Sequence, residues 1–134
     1  MLIDSNIIIY AAKPEYGALR RFIAEKEPAV SAISYVEVLG YHHLTEQERQ
    51  HFEAFFRASL VLPLSQDVLA QAVKLRQLRK MTLGDALVAG TALSCNRILV
   101  TRNIDDFKGS SDTFIIVLRY HLAAQFPSPY RRSP

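Results

Sequence analysis

The chain has few of the residues that staple, break or anchor a polypeptide. Its one cysteine among 134 residues, Cys95, cannot close an internal disulfide, so nothing asks for an oxidising compartment. Tryptophan is absent, and five glycines with six prolines leave no collagenous or low-complexity stretch. No apolar run approaches the roughly 20 residues of a membrane span, so no membrane association is expected. The opening MLIDSNIIIY has no basic region ahead of its apolar residues, and Asp4 splits them. It does not read as a secretory leader, and the cytoplasm is the expected location. Excess charge is small as well: a net +3 favours anionic partners only mildly and does not establish nucleic-acid binding.

What is present is ordinary globular material, 49% hydrophobic and 22% charged. At about 100–200 residues per domain there is room for one domain, expected over residues 1–126. The closing PSPYRRSP, residues 127–134, reads as a frayed basic tail. Apolar runs alternate with helical patterns, the signature of a parallel sheet covered by helices. Strands are expected at residues 1–3, 29–33, 60–64, 98–101 and 114–118, with Pro63 marking the third as an edge. Helices are expected at 18–26, where Pro28 stops the run, and at 34–41. A further helix opens at the capping box Thr45-Glu46-Gln47-Glu48 and runs to about residue 58. Ser65 caps the next, whose apolar stripe would be Val68, Leu69, Ala72, Val73 and Leu78. Residues 83–94 are apolar nearly all round, and Ala86, Ala89, Gly90 and Ala92 would allow close packing. The fold class is α/β.

The acids fall at element boundaries. Asp4 closes the first strand, Glu37 follows the second, Asp85 opens the apolar helix, and Asp105 and Asp106 follow the fourth strand. Each has a simple structural reading. Ser34 with Glu37 and Thr82 with Asp85 fit capping boxes, Asp4 fits a helix cap, and Asp105 and Asp106 fit a turn. Topology shifts the weight. In a parallel sheet, strands end and crossover helices begin at one edge, which takes Asp4 and Glu37 there. The helix that Asp85 opens reaches the fourth strand through Asn96 and Arg97 alone, so it runs antiparallel to that strand and starts at the same edge. The crevice beyond the strand carboxyl ends is where open α/β sheets bind ligands. Carboxylates gathered there repel one another unless a cation lies between them. Oxygen ligands select a hard ion such as Mg²⁺ or Mn²⁺, and hydrolysis of a phosphodiester is chemistry that such a site suits.

Four motifs, Asp4-Ser5-Asn6, Ser34-Tyr35-Val36-Glu37, Leu83-Gly84-Asp85-Ala86 and Thr101-Arg102-Asn103 followed by Asp106-Phe107, resemble in order and spacing the PIN-domain family. The resemblance covers about residues 1–109 and is closest to the VapC toxins, the ribonuclease halves of VapBC toxin–antitoxin pairs; after Gly109 the sequence departs from the family's pattern. It implies a three-layer α/β/α domain with a short, mostly parallel four- or five-stranded sheet. It further implies a Mg²⁺- or Mn²⁺-dependent endoribonuclease acting on RNA, homodimeric and neutralised by a VapB-type antitoxin. Carried over, Asp4 and Asp85 are the main metal ligands and Asp106 the fourth carboxylate, since Asn103 stands where some members have an acid. Glu37 binds metal through water or positions the attacking water. Ser5, Thr101, Asn6 and Asn103 support these groups by hydrogen bonds. An antitoxin arginine inserted among the carboxylates would shut the site.

Other constellations are weaker. His42, His43 and His51 have no cysteine or i,i+4 histidine partner, so zinc is not expected. Cys95 lacks a nearby base and reads as a small core residue. Arg102 and Lys108 flank the acidic crevice as candidate phosphate contacts. Arg79 and Lys80, clustered with Lys74 and Arg76, are either a solvated face or part of an RNA track. Phe52, Phe55 and Phe56 read as core or partner surface, with one of them exposed to a partner. The competing functions are a catalytically silent PIN-like binding module and another metal-dependent phosphoryl hydrolase of α/β fold. A phosphatase using a strand-terminal aspartate usually has a second aspartate two residues on, where this chain has Asn6.

Overall fold

The computed structural model describes residues 1–101 and the backbone of residues 116–119. Strands β1 (Leu2–Ile3), β2 (Ala29–Ser31), β3 (Val61–Leu62) and β4 (Ile98–Thr101) run parallel. Strand β5 (Ile116–Arg119) lies antiparallel to β4, and the sheet order is β3-β2-β1-β4-β5. Leu2 is in register with Ala29 and Leu99, and Ile3 with Val30 and Val100. Successive residues of a strand point to opposite faces, so these two rows look into two different cores.

On one face Ile3, Val30 and Val100 pack with Ile7 and Ile8 of α1 (Ser5–Ala11), Leu19 of α2 (Gly17–Lys26), Val38 of α3 (Ala32–Leu39) and Phe52 and Phe56 of α4 (Glu46–Ala58). On the other, Leu2 and Leu99 meet Leu75 of α5 (Gln66–Leu78) and Val88, Ala89 and Ala92 of α6 (Leu83–Ser94). The result is the three-layer α/β/α arrangement, and burial on both faces explains why the strands are mostly apolar, with Ser31 and Thr101 closing β2 and β4. No helix among the described residues is long and apolar enough to cross a membrane.

Local chemistry sets the helix starts. Side-chain oxygens of Asp4, Ser31, Thr45, Ser65 and Thr82 each accept a backbone N–H at the start of α1, α3, α4, α5 and α6. At Thr45 the capping box is complete, Glu48 returning a bond to the Thr45 N–H at 3.0 Å. Helix α6 is buried continuously from Ala86 to Ala92, as its all-round apolarity requires. It approaches α5 closely at Gly90, where a Cβ would lie 2.8 Å from the Val68 carbonyl oxygen and 3.1 Å from the Ala72 nitrogen.

Four expectations are corrected. Strand β2 stops at Ser31 rather than at residue 33, because the Ser31 hydroxyl accepts from the Ile33 N–H at 3.3 Å and starts α3 at Ala32. Apolar continuity alone does not separate a buried strand from a buried helix. Ser34 and Glu37 therefore lie inside α3, and no capping box joins them. On α5 the buried stripe is Val68, Ala72 and Leu75; Leu69, Val73 and Leu78 are exposed, because only one narrow side of α5 meets α6. Cys95 is the exposed C-cap of α6 rather than a core residue, since the chain leaves the helix there towards β4. Of the α4 phenylalanines, Phe52 and Phe56 are core and Phe55 is half-buried against it. Residues 102–115 and 120–134 lie outside the described residues, and with them Arg102, Asn103, Asp105, Asp106, Lys108 and the basic tail.

Candidate active site

From β1 the chain builds β2 and β3 to one side and β4 to the other, so the strand order reverses between β1 and β4. Loops diverge at such a point and leave a crevice at the carboxyl edge. Asp4 stands in it, immediately after β1. Its N–H donates to the Val100 carbonyl at 3.3 Å and extends the β1–β4 ladder by one step. One carboxylate oxygen, Oδ1, accepts from the Ile7 N–H at 3.0 Å, which is the helix cap expected of it. The other, Oδ2, accepts from the Thr101 hydroxyl at the end of β4. Capping thus uses half of the group, and Thr101 holds the other half at the end of β4. Burial pushes the Asp4 carboxyl above its ordinary value, and the negative charge of Asp85 pushes the same way. Bonds from Thr101 and from the Ile7 and Asn6 backbones pull it partly back.

Asp85 reaches this edge through the start of α6. Its N–H donates to Thr82 Oγ1 at 3.1 Å, but its carboxylate forms no hydrogen bond with any described residue, so the box at Thr82 is only half made. Asp85 is exposed and free to meet a ligand. Glu37 projects from the second turn of α3. Ser5 Oγ donates to Glu37 Oε1 at 2.6 Å and lies 2.9 Å from Ser34 Oγ. The other carboxylate oxygen rests against Gly84, the residue before Asp85.

Asp4, Glu37, Asp85, Ser5 and Thr101 are therefore brought to one edge. Asn6 contributes its backbone to Asp4, and its side chain forms no bond with a described residue. Arg79 is the C-cap of α5, and Lys80 follows it in the link to α6, which starts at this edge. Ser34 and Gly84 are contacts that the sequence reading missed. Both stand inside the motifs quoted above, yet only the fold carries them to Glu37.

The donors are all oxygens. Among the described residues no three His, Cys, Asp or Glu side chains draw close enough to enclose a cation. The Asp4–Asp85 pair fits a hard divalent ion that keeps much of its water and takes one or two protein carboxylates, and it does not fit zinc. His42 and His43 adjoin each other, ring centroids 3.9 Å apart and planes tilted by 48°, and form no such cluster with other described residues.

A PIN domain family model matches residues 1–109. No curated protein matches the chain. Several solved structures resemble it. A toxin–antitoxin complex from Klebsiella pneumoniae aligns at 26% identity and TM-score 0.64, covering 84% of this chain and 98% of that one. The VapBC2 structure from Rickettsia felis, bound to a promoter DNA fragment, aligns at 24% and 0.63, covering 80% and 90%. The DNA-bound VapBC of Salmonella typhimurium has 19% identity and a TM-score of 0.69, covering 90% and 96%, a likeness of fold. Motif order, the carboxylates at the switch point and the family match over most of its length agree, and this chain belongs to the PIN-domain family.

Proposed function

We propose that the chain is a VapC-type toxin, a Mg²⁺- or Mn²⁺-dependent endoribonuclease that hydrolyses RNA phosphodiester bonds. The observation that carries this reading is Asp4. Its carboxylate is held by β4 and α1, partly desolvated, and feels the charge of a second carboxylate, Asp85, that forms no hydrogen bond with any described residue. Such a pair destabilises the empty protein and is readily explained by a cation it exists to bind.

Asp4 and Asp85 would hold the ion, with Asp106 proposed as a further carboxylate. The bound ion supplies positive charge for the scissile phosphate and acidifies water. Thr101 would steady the Asp4 oxygen that does not cap α1. Glu37, oriented by Ser5, would align the attacking water and accept its proton. Arg79 and Lys80 would hold the RNA backbone from the α5–α6 link, and Arg102 and Lys108 from the segment after β4; Asn103 would assist by hydrogen bonding.

Regulation by a VapB-type antitoxin follows from the same reading and is supported by the Klebsiella complex. A groove of about 650 Å³, in which Ile9, Tyr41, Leu44 and Phe52 stand beside Lys13 and Glu48, is surface that such a partner would cover. A homodimer is proposed too, with exposed Leu69 and Val73 as apolar area for it to bury. The direct test is cleavage of total RNA with Mg²⁺, Mn²⁺ or EDTA by antitoxin-free protein. Metal-dependent cuts that vanish in Asp4→Asn support the nuclease. A folded wild type that neither binds divalent metal nor cuts RNA would leave the silent binding module as the better account.

A further inference from the structure

Glu37 hangs on a helix with three side-chain torsions of its own, yet a water-aligning group must stand still. Its surroundings provide the restraint. Ser34 is fully buried on the same helix, one turn before Glu37. A hydroxyl carries a single proton. The one on Ser5 goes to Glu37 at 2.6 Å, so the proton across the 2.9 Å gap between the serines comes from Ser34. The order runs Ser34 to Ser5 to Glu37, each hydroxyl committed by the one before it.

The opposite side is closed by an absence. A Cβ built on Gly84 would lie 2.3 Å from Glu37 Oε2 and 3.2 Å from its carboxyl carbon. Ordinary contact begins near 3.4 Å, so the carboxylate occupies space that any other residue at this position would claim. Gly84 is the second residue of α6 and has no positive φ, so the backbone does not ask for glycine. Glycine is a poor helix former, and its use here calls for a reason outside the helix.

We infer that Gly84 and Ser34 are positioning residues for Glu37: Gly84 leaves the slot in which the carboxylate lies, and Ser34 orders the hydroxyl that holds it there. The inference rests on the metal-dependent reading of the site. Its consequence is unusual for a glycine in a packed helix. Gly84→Ala should leave the fold at least as stable while displacing Glu37 by about 1 Å, a misplacement that can cost on the order of 100-fold in rate.

The experiment compares wild type, Gly84→Ala, Glu37→Asp and the double variant by Mn²⁺ titration, thermal melting in EDTA and RNA cleavage. Gly84→Ala is expected to weaken both Mn²⁺ binding and cleavage by about 10–100-fold, the usual effect of disturbing a group that hydrogen-bonds metal-bound water. Its melting temperature should not fall. In the double variant the shorter Asp clears the new methyl group, so the combined loss should be smaller than the product of the two single losses. Unchanged Mn²⁺ affinity and cleavage in Gly84→Ala, a melting temperature that falls with them, or multiplying losses would overturn the inference. Ser34→Ala, which leaves the slot open but removes the ordering proton, should shift Mn²⁺ affinity the same way; it carries the test if Gly84→Ala does not fold. A wild type that binds Mn²⁺ without cutting RNA sinks the ribonuclease reading, and the Mn²⁺ series still decides the role of Gly84. A wild type that binds no Mn²⁺ sinks both.

Discussion

Replacing Asp4 with asparagine or with alanine separates the two duties of one side chain. Asparagine keeps an oxygen for the Ile7 N–H, and Asn caps helices about as well as Asp. Its amide can donate to the Thr101 hydroxyl, which turns to accept. What it removes is a partly buried negative charge next to Asp85. Alanine removes the charge too, but it strands the Ile7 N–H and the Thr101 hydroxyl. Loss of the cap alone costs about 0.5–2 kcal/mol. In EDTA near neutral pH, Asp4→Asn should therefore match or exceed wild type, and Asp4→Ala should fall below it. For a chain of this size the separation corresponds to about 2–8 °C in melting temperature. Adding Mn²⁺ reverses the order of wild type and Asp4→Asn. A ligand at about 100 times its dissociation constant stabilises the state that binds it by about 2.7 kcal/mol, and only wild type keeps the site intact. Melts with EDTA and with a Mn²⁺ series, read by circular dichroism, contain all of this. If Asp4→Asn melts as low as Asp4→Ala in EDTA, the charge itself holds the fold together, and the argument from repulsion is wrong.

Other consequences are equally specific. Because the folded protein holds the Asp4 proton more tightly than the unfolded chain, Asp4 contributes stability that is present at pH values below its ordinary range and lost as pH rises through the raised value; in EDTA, urea midpoints should show this slope in wild type and lose it in Asp4→Asn. The same raised value implies that Mn²⁺ affinity falls on acidification at a higher pH than an unperturbed aspartate would give, which titration calorimetry across mildly acidic buffers can follow. Gly90→Ala, in the same helix as Gly84, should destabilise by about 1–3 kcal/mol, since its methyl meets the Val68 carbonyl and the Ala72 backbone rather than a movable side chain; chemical denaturation measures it, and an unchanged midpoint would refute the tight α5–α6 approach. Thr45→Ala breaks the capping box of α4 and should cost about 0.5–2 kcal/mol by the same assay, with RNA cleavage unaffected.

Much of the molecule is legible in its sequence because local rules and topology point the same way. The bounds of α6 and β4 coincide with the expected 83–94 and 98–101, and Thr45 and Ser65 cap where their spacing says they should. The carboxylates could be sent to one edge before any coordinates, because parallel strands and antiparallel crossover helices leave no other place for residues 4, 37 and 85. Legibility failed where packing decides. The run 29–33 is equally apolar as strand or helix, and a hydroxyl at Ser31 settled it in favour of the helix. Leu69 and Val73 carry apolar side chains that α6 is not placed to cover. Cys95 is small and apolar, but its position past the last turn of α6 leaves it in solvent.

The sequence by itself determined the α/β class, the order of the elements after α1 and the edge at which Asp4, Glu37 and Asp85 stand, since these follow from periodicity and from the single direction of a parallel sheet; α1, at Ser5–Ala11, was not among the expected helices. Tertiary structure alone decided how those acids are used. Asp4 turns out to serve α1 with one oxygen and Thr101, 97 positions away, with the other. Glu37 is not a cap but a carboxylate fixed by Ser5, 32 positions away, and resting in the space that Gly84 leaves open. Hydrogen bonds and close contacts between residues this far apart in the chain depend on distances set by the packed layers, and no local pattern of residues records them.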